Sequence, residues 1–135
     1  MTTKILTGTY SSGYTLAAPI TLLSIASTGV VEGTGVFADP AARSYAVIND
    51  DRIVGSFGGV YLSDGGTVTN QSRGTISTTG DAGAVTVRNA TGSVTNASQI
   101  HGGSPDGYGV WLRDGGSVVN DKTGVITGGG LCGIS

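Results

Sequence analysis

Short bursts of alternation run through this chain. Residues 59–63 read GVYLS, residues 66–70 GTVTN and residues 74–79 GTISTT, and each burst closes near Gly, Asn or Asp. Aliphatic side chains alternating with polar or aromatic ones mark half-buried strands. No stretch carries apolar residues at helical spacing, and strong helix formers do not cluster, so no substantial helix is expected.

The bursts recur in order. GVYLSDGGTVTN (Gly59–Asn70) returns as GVWLRDGGSVVN (Gly109–Asn120), with AVTVRNATGSVTN (Ala84–Asn96) between them as a looser copy. Val60, Val85 and Val110 are thereby 25 residues apart. Each phrase leads into a second: NQSRGTIS from Asn70, NASQIHG from Asn96 and NDKTGVITG from Asn120, with YAVINDDRIVG (Tyr45–Gly55) upstream. Asn49, Asn70, Asn96 and Asn120 then hold equivalent places. A weaker copy is TLLSIASTGVVEG (Thr21–Gly33), with Ser24 or Ala26 near the Asn place.

A period of this size signals a solenoid. With three short strands per repeat, the unit is one coil of a parallel β-helix. Successive coils lie about 4.8 Å apart, so equivalent side chains stack. Inward ladders are expected at Val60/Val85/Val110, Leu62/Val87/Leu112, Val68/Val94/Val118 and Ile53/Ile76/Ile100/Ile126. A coil satisfies its backbone and buries its apolar side only against a near copy of itself, which explains the repetition. The stacked Asn residues are expected to turn the chain and bond amide to amide as a structural ladder. DGG at Asp64–Gly66 and Asp114–Gly116, with NATG at Asn89–Gly92, reads as another corner. The chain then divides into a cap-like segment (1–20), coils (21–130) and the start of a further coil (131–135). Roughly five coils span about 24 Å.

Composition narrows the classes. The chain has 135 residues, 25 of them Gly, and 38% hydrophobic residues, too apolar and β-branched for disorder. Net charge is −2 with no basic stripe, so nucleic acid is not an expected partner. The single Cys132 and single His101 give no disulfide framework and no His- or Cys-based metal site within one chain, and no cofactor is expected. Cys132 reads as a small buried or fraying residue, with a cross-linking thiol as the alternative. The opening residues lack a signal-peptide layout, and the apolar run Leu16–Ala26 is too short to span a membrane.

The segments GSVTNASQIHGG, GYGVWLRDGGSVVNDKTGVITGGG and GYTLAAPITLLSIASTGVVEG resemble the passenger regions of bacterial autotransporters, which carry degenerate GxVxNxGxIxG repeats. The resemblance extends from about Tyr10 to Ser135. It implies a single right-handed parallel β-helix and a place at the cell surface or outside the cell, as part of a longer precursor. It is specific for fold and loose for function, since such passengers include adhesins, biofilm factors, proteases and esterases. The secretion signal and the C-terminal membrane barrel of that family are not in this sequence, so any membrane contact would run through a barrel this chain lacks. The function expected is a non-enzymatic structural or adhesive segment with a host-surface or glycan ligand. The alternatives are homo-association end to end through the C-terminal coil and a polysaccharide-binding or -cleaving protein.

Chemistry is sparse. Asp64, Asn89 and Asp114 fall in one expected column, with Arg88 and Arg113 beside them, a pattern that polysaccharide-active β-helices use on sugar acids. Turn formation explains the same residues more simply, as it does for NDDR at Asn49–Arg52. GxSxG elbows and GGxGxD calcium repeats are absent. GGSPDGYG (Gly102–Gly109) reads as a longer loop, with Tyr108 and Trp111 toward an outer face, where they would pack or stack on sugar. An ice-binding array of outward Thr is broken at Ser93, Ser117 and Val119, and the sequons at Asn70, Asn89 and Asn96 read as coincidental.

Overall fold

The computed structural model describes residues 2–38, 44–103, 105–130 and 133–135; Cys132 lies outside them. Seventeen strands, with no helix among the described residues, form three parallel sheets stacked as a β-solenoid of about five turns. The first sheet takes β1 (Thr2–Leu6), β4 (Ile20–Ile25), β7 (Tyr45–Asn49), β10 (Gly66–Asn70), β13 (Gly92–Asn96) and β16 (Gly116–Asn120). The second takes β2 (Thr9–Tyr10), β5 (Val30–Val31), β8 (Arg52–Gly55), β11 (Thr75–Thr78), β14 (Gln99–His101) and β17 (Val125–Thr127). The third takes β3 (Tyr14–Leu16), β6 (Val36–Ala38), β9 (Val60–Leu62), β12 (Val85–Val87) and β15 (Val110–Leu112). Each strand thus pairs with the one three places along the chain, and every turn visits all three sheets.

Register follows the inward residues. Val60, Val85 and Val110 are cross-strand partners, as are Leu62, Val87 and Leu112. Val68 meets Val94, and Val94 meets Val118. Ile53, Ile76, Ile100 and Ile126 form the column of the second sheet. A slip of one residue would turn each set to solvent, which fixes the pairing. Within the stack these side chains are buried; Leu112, Val118 and Ile126, on the last turn, are only half-buried. Leu112, Val118 and Ile134 line a hollow of about 380 Å³ at that end.

The first strands are a turn in their own right. β1, β2 and β3, in the segment expected as a cap, pair with β4, β5 and β6. Their sequence is less regular, and the column positions change character. Leu6 pairs with Ile25, and Ile25 with Asn49, so Ile25 rather than Ser24 or Ala26 holds the Asn place of that turn. Ser24 faces outward opposite Ile48, as alternation along the strand requires. Lys4 pairs with the buried Leu23 and so stands at the head of the inward column that ends in Val118. At the other end, Ile134 bridges to Val110 and residues 133–135 hydrogen-bond along β15, placing them on the third sheet.

Candidate functional site

Strands β6, β9, β12 and β15 each place two aliphatic residues inward, at their first and last positions. Their middle residues therefore point out and stack as Phe37, Tyr61, Thr86 and Trp111. Phe37 and Tyr61 lie with ring centroids 5.2 Å apart and planes 8° from parallel. Phe57, on the loop between β8 and β9 and 52% exposed, leans on Tyr61 at 5.4 Å. Tyr108, on the loop before β15, stacks on Trp111 at 5.0 Å. Between the two ring clusters Thr86 is buried, its hydroxyl accepting from the Gly83 N–H at 3.0 Å as that loop folds over it.

Each cluster carries a guanidinium. Arg113 sits over Trp111, with Cζ 4.9 Å from the ring centroid, inside cation–π range. Arg88 donates from Nη1 to the Tyr61 hydroxyl at 2.8 Å, while its Nε is buried and has no hydrogen-bond partner among the described residues. The hydrogen bond to Tyr61 raises Arg88 above the ordinary guanidinium value, with burial opposing it and Asp114 adding to it. Both side chains are therefore fixed cations. Among the described residues neither joins an ion pair, whereas Arg52 pairs with Glu32 and Arg73 with Asp50.

Next along the chain is the corner with Asp64, Asn89 and Asp114. These three are not strict equivalents. Three residues separate Leu62 from Gly66 and Leu112 from Gly116, but four separate Val87 from Gly92, the partner of both glycines. The longer corner puts Asn89 itself in the left-handed region at φ 63°, where the other two use Gly65 and Gly115 at 79° and 86°. Asn89 donates its backbone N–H to Asp114 Oδ2 and its amide to the Ser63 carbonyl at 2.7 Å. Asp114 and Asn89 thus stitch neighbouring turns together. Beyond the corner runs a shallow groove of about 390 Å³ lined by Gly66, Gly92 and Gly116 with Thr67, Ser93 and Ser117.

The Asn column lies inside, away from this face. Asn49 donates to Asn70 Oδ1, Asn70 to Asn96 Oδ1 and Asn96 to Asn120 Oδ1, each at 2.9 Å. The same amides reach the carbonyls of the following loops: Asn70 bonds Gly74 at 3.0 Å and Gln99 at 3.1 Å. Asn49, Asn70 and Asn96 are fully buried, and Asn120 is exposed on the last turn. These bonds close the chain between the first and second sheets.

His101 is exposed, with Nδ1 hydrogen-bonded to the Thr127 hydroxyl. Among the described residues no three His, Cys, Asp or Glu side chains gather as a metal ion would require. Among the same residues there is no helix long and apolar enough to cross a membrane.

Sequence reasoning singled out Tyr108 and Trp111 but not Phe37, Phe57 or Tyr61. The signal was present for one of them, because Tyr61 in GVYL holds the place of Trp111 in GVWL. Compared with family models, with curated proteins and with solved structures, the chain matches none.

Proposed function

We propose that this solenoid is a non-enzymatic adhesive segment of an autotransporter-like protein, displayed at the cell surface or secreted, and that it holds a glycan on the outer face of its third sheet. The observation that carries this reading is the outward pairing of ring clusters with cations, Tyr61 with Arg88 and Trp111 with Arg113. Aromatic faces offer a large apolar contact at small entropic cost, and guanidinium groups beside them add directional donors for hydroxyl and carboxylate oxygens. A rigid stack of hydrogen-bonded strands presents these groups already ordered, which lowers the cost of binding. The repeats quoted above support the autotransporter-like assignment, and the bonded Asn89–Asp114 corner favours a turn role for those residues over catalysis.

A second reading, end-to-end self-association, is favoured by the half-buried Leu112 and Val118 lining the hollow on the last turn, with Ile126 half-buried on the second sheet. Unpaired strand edges there are templates for another chain. The inward-facing Lys4 at the opposite end opposes it.

An immobilised oligosaccharide array probed with the wild-type chain and Trp111→Ala tests the glycan reading. The wild type binds, and the variant, folded by circular dichroism, loses about tenfold, since a stacked aromatic contact contributes about 0.5–1.5 kcal/mol beyond its buried area. An array with no bound saccharide, or equal binding by the variant, overturns it.

A further inference from the structure

We infer that the ligand is a linear acidic polysaccharide lying along the solenoid axis, gripped at two repeated subsites. The inference rests on the glycan reading and specifies its ligand. The first subsite is Phe57, Tyr61 and Arg88; the second is Tyr108, Trp111 and Arg113. Each is a loop aromatic against a strand aromatic with a guanidinium beside it. Tyr61 and Trp111 both pair with Thr86, so the subsites are two turns apart. That is about 10 Å along the axis, the scale of a disaccharide repeat.

Orientation follows from the stacking of strands. The subsites are displaced along the axis within one sheet, so a ligand that meets both must run along it. The covered Thr86 between them offers no ring and no charge, and the intervening sugar passes over it. A terminal monosaccharide would fill only one subsite. A chain fills both, and the second contact is then intramolecular, which raises affinity without new chemistry.

The charge of the ligand follows from the arginines. Two permanent cations stand beside aromatic rings on one sheet, and neither has a carboxylate in ion-pair range among the described residues. The neighbouring Asp114 carboxylate takes the Asn89 N–H on one oxygen and acts on Arg88 through its charge without forming an ion pair with it. A guanidinium takes a carboxylate in a bidentate pair, as the exposed Arg113 can, while Arg88, with Nη1 on Tyr61 and Nε buried, is left with Nη2 for a single contact. Arg88 and Arg113 follow the register partners Val87 and Leu112 on adjacent turns, and Arg88 reaches back one turn to Tyr61. A nucleic-acid strand carries one phosphate per 3.4 Å or so, and the chain's net charge of −2 with no basic stripe gives such a strand little purchase.

Calorimetric titration with hyaluronan oligosaccharides, which alternate a uronic acid with a neutral amino sugar, is the test. Neutral chitin oligosaccharides and a single-stranded DNA oligonucleotide serve as comparisons. The expected result is affinity that climbs steeply from hyaluronan disaccharide to octasaccharide, exceeds that for chitin oligosaccharides of equal length, and falls with added salt. Arg88→Gln and Arg113→Gln should each weaken the octasaccharide about tenfold, the value of one charge-assisted contact. Arg113 is exposed, so its variant remains informative if Arg88→Gln fails to fold. Equal binding of chitin oligosaccharides, or of disaccharide and octasaccharide, overturns the acidic, axial ligand while leaving a glycan site in place. Binding of no saccharide overturns both, and tight binding of the DNA alone replaces them with a nucleic-acid site.

Discussion

Replacing Asn70 with leucine probes what the buried amide column is worth. Leucine is close in size, and the same column already holds Ile25 and Leu6 in the first two turns, so the change is tolerable in shape. Its cost is polar. Asn70 accepts from Asn49 at 2.9 Å and donates to Asn96 at 2.9 Å, to the Gly74 carbonyl at 3.0 Å and to the Gln99 carbonyl at 3.1 Å. The neighbours do not lose everything. Asn49 keeps its bonds to the Asp51 and Thr75 carbonyls, and Asn96 Oδ1 keeps the Ser98 N–H. Four contacts at about 1 kcal/mol each, reduced by the apolar surface leucine buries, give a loss of about 3 kcal/mol. Asn49→Leu also forfeits four contacts, to Asn70 Oδ1, to the Asp51 and Thr75 carbonyls and from the Asp51 N–H, so it should likewise cost about 3 kcal/mol. Urea titration followed by circular dichroism and Trp111 fluorescence measures both, with midpoints compared at constant slope. A loss below about 1 kcal/mol for either variant would refute the reasoning.

Two further outcomes are expected. Gly74→Ala pushes a methyl group into the Asn70 amide oxygen and to 2.7 Å from the Asn49 carbonyl, so it should destabilise by about 1–3 kcal/mol in the same titration. A Gly74→Ala chain as stable as wild type would show that the loop yields freely. Lys4→Val removes the inward charge at the head of the Leu23–Val118 column, and end-to-end species should appear with rising concentration in sedimentation velocity, where the wild type stays dispersed. Wild-type filaments of equal length would show that Lys4 is no barrier.

How much of this was legible depended on how closely a turn copies its neighbour. The columns through Val85, Val94, Ile100 and Asn96 repeat in type and spacing, so stacking alone places them. In the first two turns Leu6 and Ile25 stand where later turns use Asn, because an aliphatic side chain fills an inward position equally well, and the motif that marks the turn disappears. The corner at Asn89 defeats a fixed period differently. One extra residue moves the left-handed position onto Asn89, and nothing in an apolar pattern registers a change made in backbone angles. The aromatic face was the least legible part. Phe57 and Tyr108 come from loops of different turns, and the Arg88–Tyr61 bond joins residues 27 apart, one turn to the next. Periodicity predicts who stacks on whom along a strand, but not which loop side chain folds back over it.

The partner-by-partner register has an evolutionary consequence. Asn70 and Asn96 are equivalent points 26 residues apart. Excising residues 71–96 would join Asn70 to Ala97 with every remaining strand still meeting a counterpart, and Tyr61 would arrive directly against Trp111. Duplicating the same block would push the two rings one step further apart. A lineage built this way changes the ring spacing in discrete notches through recombination between its own repeats, and because the block carries Arg88, each step also changes the number of cations on that face. Length polymorphism in such a gene is then inherited variation in the spacing of the two ring clusters.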